Sequence, residues 1–382
     1  MDAVVVGGGI VGLASAHALA ERGASVTVCE RRAVGSGSTE RSIGGIRAQF
    51  STPVNVELST ASMAIWERFE ERFGVDIAYR RPGYLLLARE AETADALREQ
   101  VPMQNERGVP SELLAPGEAR ERCPELDADR YLAATYSPTD GFADPHLALQ
   151  GYAEACRAAE VDVRTHTPVT DVRVTDGAAV GVETDGERID ADVVVNAAGP
   201  WARRVGAMAG LDLPVVPRRR QVLVADPDPP VPEDAPLTVD LDSGSYFRPE
   251  RDGAALVGGH FAADDPEGDP DGYARSMDLE WAATALERAA ETASYFGPST
   301  RVQRGWAGLY AVTPDWHPIV GETLPGFVNA VGFSGHGFQH APATGRIVAE
   351  LALDGTASLV DVSALGRDRF DRGALLTERN VA

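Results

Sequence analysis

Three glycines and one acidic residue near the start of the chain have the spacing of a dinucleotide site. Gly7, Gly9 and Gly12 follow a short apolar run, and Glu30 comes 18 residues after Gly12. In such a site the first glycine makes a tight turn, the second lets a pyrophosphate approach the backbone, and the third lets helix and strand pack closely. Unpaired N–H groups at the start of the helix face the phosphates. Glu30 can accept both hydroxyls of an adenine ribose, so the pattern predicts a bound dinucleotide.

A second glycine-rich stretch, AVGFSGHGFQHAPATGR, places His336, Gln339 and His340 among four glycines. Glycine at this density costs backbone entropy in any regular element, which indicates that something approaches the backbone closely. The residues that follow predict a helix with Pro342 in its first turn. The start of that helix would carry a partial positive charge.

The elements that would position these glycines are those of an α/β protein. The first segment predicts a buried strand over Val4 to Val6, a helix over Ile10 to Arg22 and a second strand over Val26 to Val28. Later, a meander with a turn at residues 185–186 leads to a buried strand over Val193 to Asn196. That strand also runs into a small-residue turn, which is typical of another close backbone approach.

The local sequence patterns predict two interleaved domains. Residues 1–79, 143–217 and 305–382 carry the βαβ and glycine patterns, and we assign them to a Rossmann-like nucleotide-binding domain. Residues 80–142 and 218–304 hold short helical patterns and alternating β patterns, and we assign them to a β-rich α+β substrate domain. We find no solenoid repeat.

The composition excludes several classes of function. The chain has 58 acidic residues against 35 basic ones, all arginine, for a net charge of -23. This charge argues against nucleic acid and anionic membranes as partners and favours a halophilic protein. Without lysine, Schiff-base catalysis and a P-loop are excluded. The three cysteines lie far apart, so we expect neither disulfide nor metal site, and with no apolar spanning segment we expect a cytoplasmic protein.

Six motifs follow one another along nearly the whole chain: VVVGGGIVGLASAHALAERGASVTVCER, GSGSTERSIGGIRAQF, TPVTDV, DVVVNAAGPWA, RGWAGLYAVTPDWHPIVGE and GFSGHGFQHAPATG. In this order they resemble the D-amino-acid oxidase superfamily of FAD oxidoreductases, in the branch of sarcosine oxidase, proline dehydrogenase β subunits and glycine oxidase. The last four of these motifs are not expected in an NAD-dependent dehydrogenase.

The resemblance implies that FAD occupies the first site, with its flavin ring at the boundary between the domains. Backbone amides from Gly335 to Gln339 would run along the pyrimidine edge and stabilise the negative charge that develops at N1 and the C2 carbonyl. The implied cofactor-binding set is Gly7, Gly9, Ile10, Val11, Gly12, Glu30, Arg31, Ser38, Gly44, Gly45, Ile46, Val169, Gly199, Trp201, Gly335, His336, Gly337, Phe338 and Gln339.

Five residues are implied on the substrate side: Arg47, Tyr246, His260, His336 and Gln339. Arg47 falls where relatives grip the substrate carboxylate, and a guanidinium suits this role because its planar fork binds a carboxylate bidentately. The other reading of Arg47 is a surface salt bridge. Tyr246 and His260 match positions that face the flavin and would hold the amine or the carboxylate. A histidine on a strand is often structural, so this reading of His260 stays open.

Departures from the family pattern carry information about the electron acceptor. Leu256 and Gln339 stand where sarcosine oxidase has lysines, and a lost positive charge near the flavin should slow the reaction with O2. Gly308 stands where that enzyme has the cysteine that anchors flavin covalently, and no histidine near Arg41 matches the anchor of the sarcosine and dimethylglycine dehydrogenases. The resemblance therefore implies noncovalent FAD in a dehydrogenase rather than an oxidase.

The implied reaction is oxidation of the C–N bond of a small amino acid, of the sarcosine, proline, glycine or D-amino-acid type, to an imine. The electron acceptor would be a quinone, an electron-transfer protein or O2. Three alternatives stay open: oxidation of a 2-hydroxy acid or sugar-phosphate-like alcohol, an FAD-bearing subunit of a hetero-oligomeric dehydrogenase, and a noncatalytic flavoprotein. A homo-oligomer is equally compatible with the sequence.

Overall fold

The computed structural model describes residues 1–261 and 265–380, which form nineteen β-strands and ten α-helices. The strands are β1 (Asp2–Val6), β2 (Ser25–Cys29), β3 (Gly45–Ile46), β4 (Tyr84–Ala88), β5 (Glu112–Leu114), β6 (Ala133–Ser137), β7 (Gly141–Phe142), β8 (Asp162–Arg164), β9 (Val169–Thr175), β10 (Ala178–Thr184), β11 (Arg188–Asp190), β12 (Val193–Asn196), β13 (Val216–Asp226), β14 (Leu237–Asp240), β15 (Ser245–Pro249), β16 (Ala255–Gly259), β17 (Arg301–Val312), β18 (Ile319–Leu324) and β19 (Phe327–Val331). The helices are α1 (Ile10–Glu21), α2 (Pro53–Trp66), α3 (Phe69–Phe73), α4 (Ala91–Glu106), α5 (Pro116–Arg122), α6 (Pro145–Ala158), α7 (Ala202–Met208), α8 (Leu279–Thr292), α9 (Gly337–Asp354) and α10 (Asp368–Asp371).

A six-stranded sheet in the order β18-β19-β12-β1-β2-β8 carries the first glycine motif. Its neighbouring strands are parallel, except for the antiparallel pair β18 and β19. The apolar run of β1 lies between β2 and β12 and is buried, as strands covered on both faces usually are. Helices α1 and α9 pack on one face, and the meander of β9, β10 and β11 packs on the other. The predicted β1-α1-β2 unit is confirmed.

Helix α9 begins earlier than predicted. It starts at Gly337, so Pro342 lies inside the helix and the prediction that it occupies the first turn is wrong. The residues from Phe338 to Gly345 are buried, and a Cβ on Gly345 would lie 2.5 Å from the backbone of Ala14 in α1. This packing outweighs the local proline signal, because a proline inside a helix removes one hydrogen bond without forbidding the helix on either side.

An eight-stranded sheet in the order β17-β13-β16-β15-β14-β4-β6-β5 forms the other half of the fold. Only β14 and β4 pair in parallel; the other pairs are antiparallel. Helix α8 packs on its outer face, and the inner face carries a row of large side chains toward the first sheet. The α/β fold class with a Rossmann-like half and a β-rich half is therefore confirmed.

The predicted domain limits fall inside two strands. Strand β13 crosses the limit at 217/218 and β17 crosses the limit at 304/305, so both long strands start or end in the segments assigned to the nucleotide-binding domain. The division into two domains stays a prediction. Within the described part of the chain, no helix is both long and apolar enough to span a membrane, and no cluster of potential metal ligands occurs.

Candidate active site

A cavity of about 480 Å³ lies between the two sheets. One wall consists of the loops that follow β1, β2, β12 and β19, which are the carboxyl ends of parallel strands in the six-stranded sheet. The other wall is the inner face of the eight-stranded sheet. Crevices at this edge of an α/β sheet are where such folds bind ligands.

The glycines of the first motif play two different physical roles. Gly7 has φ +110°, and a Cβ there would lie 2.6 Å from the carbonyl oxygen of Ala197. A Cβ on Gly12 would lie 1.9 Å from the Gly7 oxygen, so Gly12 permits helix and strand to pack and does not line the cavity. A Cβ on Gly9 would meet only Thr39 Oγ1, at 3.3 Å. The backbone at Gly9 is therefore open to a ligand, as the motif predicts.

Glu30 lies at the end of β2 with both carboxylate oxygens fixed by the backbone. Its Oε2 accepts from Gly8 N and its Oε1 accepts from Arg32 N, each at 2.8 Å. A carboxylate has about four acceptor positions, so two remain for ribose hydroxyls. The fixed orientation preorganises Glu30 for that contact.

The loop before α8 closes the same end of the cavity. Asp271 accepts from Trp201 Nε1 at 3.0 Å and pairs with Arg31 at 2.9 Å and with Arg204. The Arg31 guanidinium lies 4.8 Å from the centre of the Trp201 ring. Arg31 and Trp201 are predicted site residues, but Asp271 was missed, because an aspartate in the run DDPEGDPDG carries no signal of its own.

Arg47 is a buried cation at the opposite end of the cavity. It is 8% exposed, and its guanidinium donates to Gln49 O at 2.5 Å and to Asn380 O, with Nη2 3.3 Å from His336 Nε2. Burial lowers the pKa of Arg47. In residues 1–261 and 265–380, no carboxylate oxygen comes within 4.0 Å of it. Burying a charge is costly unless it is paired, so the site is prepared for an anionic ligand.

His336 and Gln339 stand beside Arg47. Since a guanidinium only donates, His336 Nε2 accepts from Arg47 and the proton of the neutral ring sits on Nδ1. Burial and then the Arg47 charge hold the pKa of His336 well below its usual value, so the ring is neutral. Gln339 Oε1 accepts from Arg47 N at 3.0 Å, and the Gln339 carbonyl accepts from Trp66 Nε1 at 2.9 Å. Both residues thus fix the arginine and the start of α9.

Three tyrosines line the cavity near Arg47: Tyr84, Tyr246 and Tyr310. Each of these side chains lies against a glycine, since a Cβ on Gly45, Gly258 or Gly335 would come within 2.4 Å of its hydroxyl or ring. Burial raises the pKa of all three hydroxyls, so they stay protonated. Within the described residues none of the three hydroxyls has a hydrogen-bond partner.

Tyr246 lines the cavity, and its role on the substrate side stays a prediction. The sequence analysis missed Tyr84 and Tyr310, because these two residues belong to strands that are far from Tyr246 in the sequence. Only the motif GLYAVTPD gave a signal for Tyr310.

Most of the predicted site residues line this one cavity. Those that do are Arg47, Tyr246, His336, Gln339, Gly7, Gly9, Ile10, Val11, Glu30, Arg31, Ser38, Gly45, Val169, Gly199, Trp201, Gly335, Gly337 and Phe338.

Four predicted residues lie outside the cavity: Gly12, Gly44, Ile46 and His260. A Cβ on Gly44 would lie 1.8 Å from the Ala143 oxygen, so this glycine serves backbone packing, and Ile46 is buried in the core. His260 faces a separate surface depression, with its Nε2 3.7 Å from Asp265.

The cation that reaches the cavity from the β13 to β16 region is Arg220. Its Nη1 and Nη2 pair with Asp265 at 2.8 and 2.9 Å. Arg220 was missed because three arginines follow one another in PRRRQ and the sequence does not distinguish them.

The residues present fit an extended FAD. Glycine backbone and Glu30 stand at one end of the cavity, Gly199 lies along it with φ +51° and open space where a Cβ would project, and the start of α9 lies at the far end. The first N–H groups of a helix have no intrahelical acceptor, so they are available to an electron-rich ligand edge. Gly308, which lines the cavity, has no side chain to bond a flavin.

Comparisons with known proteins show the family of this chain. The profile of the family described as DAO, FAD dependent oxidoreductase, matches residues 2–351. The chain is 32% identical to FAD-dependent oxidoreductase domain-containing protein 1 of Xenopus laevis, over 100% of this chain and 84% of that protein. It is 31% identical to glycine oxidase of Geobacillus kaustophilus, over 92% of each. The crystal structure of L-proline dehydrogenase from P. horikoshii superposes with a TM-score of 0.88 at 34% identity, covering 97% of this chain and 98% of that one.

Proposed function

The chain belongs to the DAO family of FAD-dependent oxidoreductases, and we propose that it oxidises the C–N bond of a small amino acid to an imine. The observation that carries this proposal is Arg47, a buried guanidinium without a carboxylate partner in the described residues. A substrate carboxylate would supply the missing counter-charge. Relatives whose names state glycine or L-proline as substrate support the amino acid class.

The chain's own residues would bind and orient the substrate. Arg47 would hold the carboxylate, while the protonated hydroxyls of Tyr84, Tyr246 and Tyr310 would fix the rest of the molecule by hydrogen bonds. Bound FAD supplies the acceptor for the hydride equivalent that leaves the carbon next to the amine. The amine lone pair forms the C=N bond as that hydride leaves, which gives the protonated imine. Water then hydrolyses the protonated imine to a carbonyl compound and a protonated amine.

The protonation state of the substrate sets the pH dependence of this reaction. Only a neutral amine has the lone pair, and His336 stays neutral, so no histidine cation beside Arg47 competes for the substrate carboxylate. We expect the rate to rise with pH through the pKa of the bound amine. A rate that does not vary with pH would contradict this order of events.

We further propose that the enzyme passes its electrons to an acceptor other than O2. The position occupied by lysine in the sarcosine oxidase pattern is Leu256 in β16, whose side chain is buried and does not line the cavity. Arg220 does reach the cavity, but Asp265 neutralises its charge. Turnover with O2 alone should be far slower than with an artificial dye. Equal rates would refute this assignment.

Anaerobic reduction of the flavin tests the proposed reaction. The holoenzyme is mixed with sarcosine, proline, glycine, D-amino acids and 2-hydroxy acids, and loss of the flavin absorbance is followed. Bleaching by one of the amino acids, with an imine-derived carbonyl compound as product, is the expected result. Bleaching by 2-hydroxy acids alone would show that the enzyme oxidises alcohols instead of amines. If no compound bleaches the flavin, both the amine and the alcohol reactions are contradicted.

A further inference from the structure

The segment from Thr377 to Asn380 covers the Arg47 end of the cavity. Its side chains alternate between the surface and the interior: Glu378 and Asn380 are 4% and 2% exposed, whereas Thr377 and Arg379 are exposed. Asn380 lines the cavity. A short extended segment with two fully buried polar side chains needs a specific set of partners, because unsatisfied buried polar groups are costly.

Glu378 anchors this segment to the start of α2. Its Oε1 accepts from Ser51 N and Ser51 Oγ at 2.8 Å, and its Oε2 accepts from Thr52 Oγ1 at 3.2 Å and Asn55 Nδ2 at 3.0 Å. The same carboxylate accepts from Asn380 N at 3.1 Å. The backbone N–H of Asn380 is therefore held by a carboxylate that four other donors fix.

Asn380 connects that anchor to Arg47. Its carbonyl oxygen accepts from Arg47 Nη2, and its Nδ2 donates to Gln49 O at 3.1 Å and to Gln100 Oε1 at 2.8 Å. Gln49 O is also the acceptor for Arg47 Nη1. Two of the three acceptors that aim the guanidinium thus depend on this one asparagine, and both are neutral, so they orient the cation without cancelling its charge.

We propose that Asn380 is a positioning residue for substrate binding: it holds the Arg47 guanidinium in the orientation in which the remaining N–H groups meet the substrate carboxylate. This inference rests on the proposed function, since it assigns Asn380 a task at the same site. Sequence motifs gave no indication of it, because the segment lies outside every motif of the family resemblance.

The variants Asn380→Ala and Asn380→Asp test this inference in the FAD-loaded enzyme. Asn380→Ala removes the two donor contacts of the amide. Asn380→Asp places a carboxylate against two acceptor oxygens and beside Arg47, where it competes with the ligand. The matched control is Thr377→Ala, an exposed position in the same segment.

The probe is cyclopentanecarboxylate, which has a carboxylate but no amine to oxidise, titrated against the visible spectrum of the oxidised flavin. We expect its Kd to rise about tenfold in Asn380→Ala, which is about the net cost of losing one hydrogen bond, and more in Asn380→Asp. Thr377→Ala should bind it like the unmodified enzyme. With the substrate found by anaerobic reduction, KM should rise in the same order while kcat at saturation changes little.

A purely structural role for Asn380 predicts a different pattern, with lower FAD content and melting temperature in both variants and an unchanged Kd for the probe in the fraction that retains FAD. That pattern would overturn the inference. If Asn380→Asp does not retain FAD, the smaller change in Asn380→Ala decides between the two outcomes.

Arg47→Ala separates this inference from the proposed function. If it binds the probe normally, the carboxylate role of Arg47 is wrong; if it loses binding while both Asn380 variants bind normally, only the positioning role is wrong.

Discussion

Replacing Arg47 by methionine should greatly weaken catalysis and have little effect on stability. The guanidinium loses hydrogen bonds to Gln49 O, Asn380 O and His336 Nε2, each worth about 1.5 to 3 kcal/mol because the donor is charged. Against this, the folded state of the variant no longer carries the free-energy cost of desolvating an unpaired buried cation, which is on the order of several kcal/mol. These contributions nearly offset each other, so we expect the free energy of unfolding to change by less than about 2 kcal/mol.

The effect on the reaction should be much larger. Truncating one partner of a buried, hydrogen-bonded charge pair costs about 2 to 5 kcal/mol, which corresponds to about 30-fold to several thousand-fold in kcat/KM. We expect most of this loss to appear as a higher KM for the amino acid, because the carboxylate contact exists before the chemical step as well as during it.

Arg369 provides the matched control. It is 2% exposed, but its guanidinium pairs with both oxygens of Asp315, at 2.7 and 3.0 Å. Arg369→Met would leave Asp315 buried without its counter-charge, which costs about 3 to 5 kcal/mol, and it should leave KM unchanged. Melting temperatures at saturating FAD and steady-state kinetics with an artificial dye measure both quantities. The reasoning is refuted if Arg47→Met destabilises as much as Arg369→Met and keeps the native KM, since Arg47 would then be a structural residue.

Three further predictions concern the core, the cofactor site and the cofactor linkage. Burial raises the pKa of Asp140 to about 6 from an ordinary value of 3.8, so the native state binds its proton more tightly than the unfolded state and loses stability as pH rises through this range. Relative to the native protein, Asp140→Asn should gain about 2 kcal/mol of stability between pH 4 and pH 6, measured by urea unfolding; a constant difference would contradict the raised pKa. Gly12→Ala places a Cβ 1.9 Å from the Gly7 oxygen and should abolish FAD retention, whereas Gly117→Ala, with nothing within 4 Å, should retain it. Acid precipitation should release yellow FAD into the supernatant, since Gly308 offers no anchor; a yellow pellet would indicate a covalent bond.

The sequence predicted the parts of the molecule whose structure is set by short-range patterns. The spacing of Gly7, Gly9 and Gly12 before a helix, with Glu30 after the next strand, was sufficient for the β1-α1-β2 unit and its ligand. The glycine-rich stretch before Pro342 likewise predicted a helix, but packing against α1 shifted the start of that helix to Gly337, and its contact with the cofactor stays a prediction. The backbone geometry of such a unit requires the same residue types at the same short spacings wherever the unit occurs. The unit can therefore be predicted from residues that are neighbours in the sequence.

The tertiary structure decided which side chains meet at the Arg47 end of the cavity. Tyr84, Tyr246 and Tyr310 come from β4, β15 and β17, which join one sheet face through strand pairing that no local pattern encodes. The same pairing turned His260 toward the surface and Arg220 toward the cavity.

Sequence alone therefore determined the fold family and the dinucleotide end of the site, because these depend on backbone geometry over a few residues. Only the tertiary structure revealed that Arg47 is buried among neutral acceptors with Asn380 behind it, because burial and the identity of a charge's neighbours depend on chain segments more than 300 residues apart.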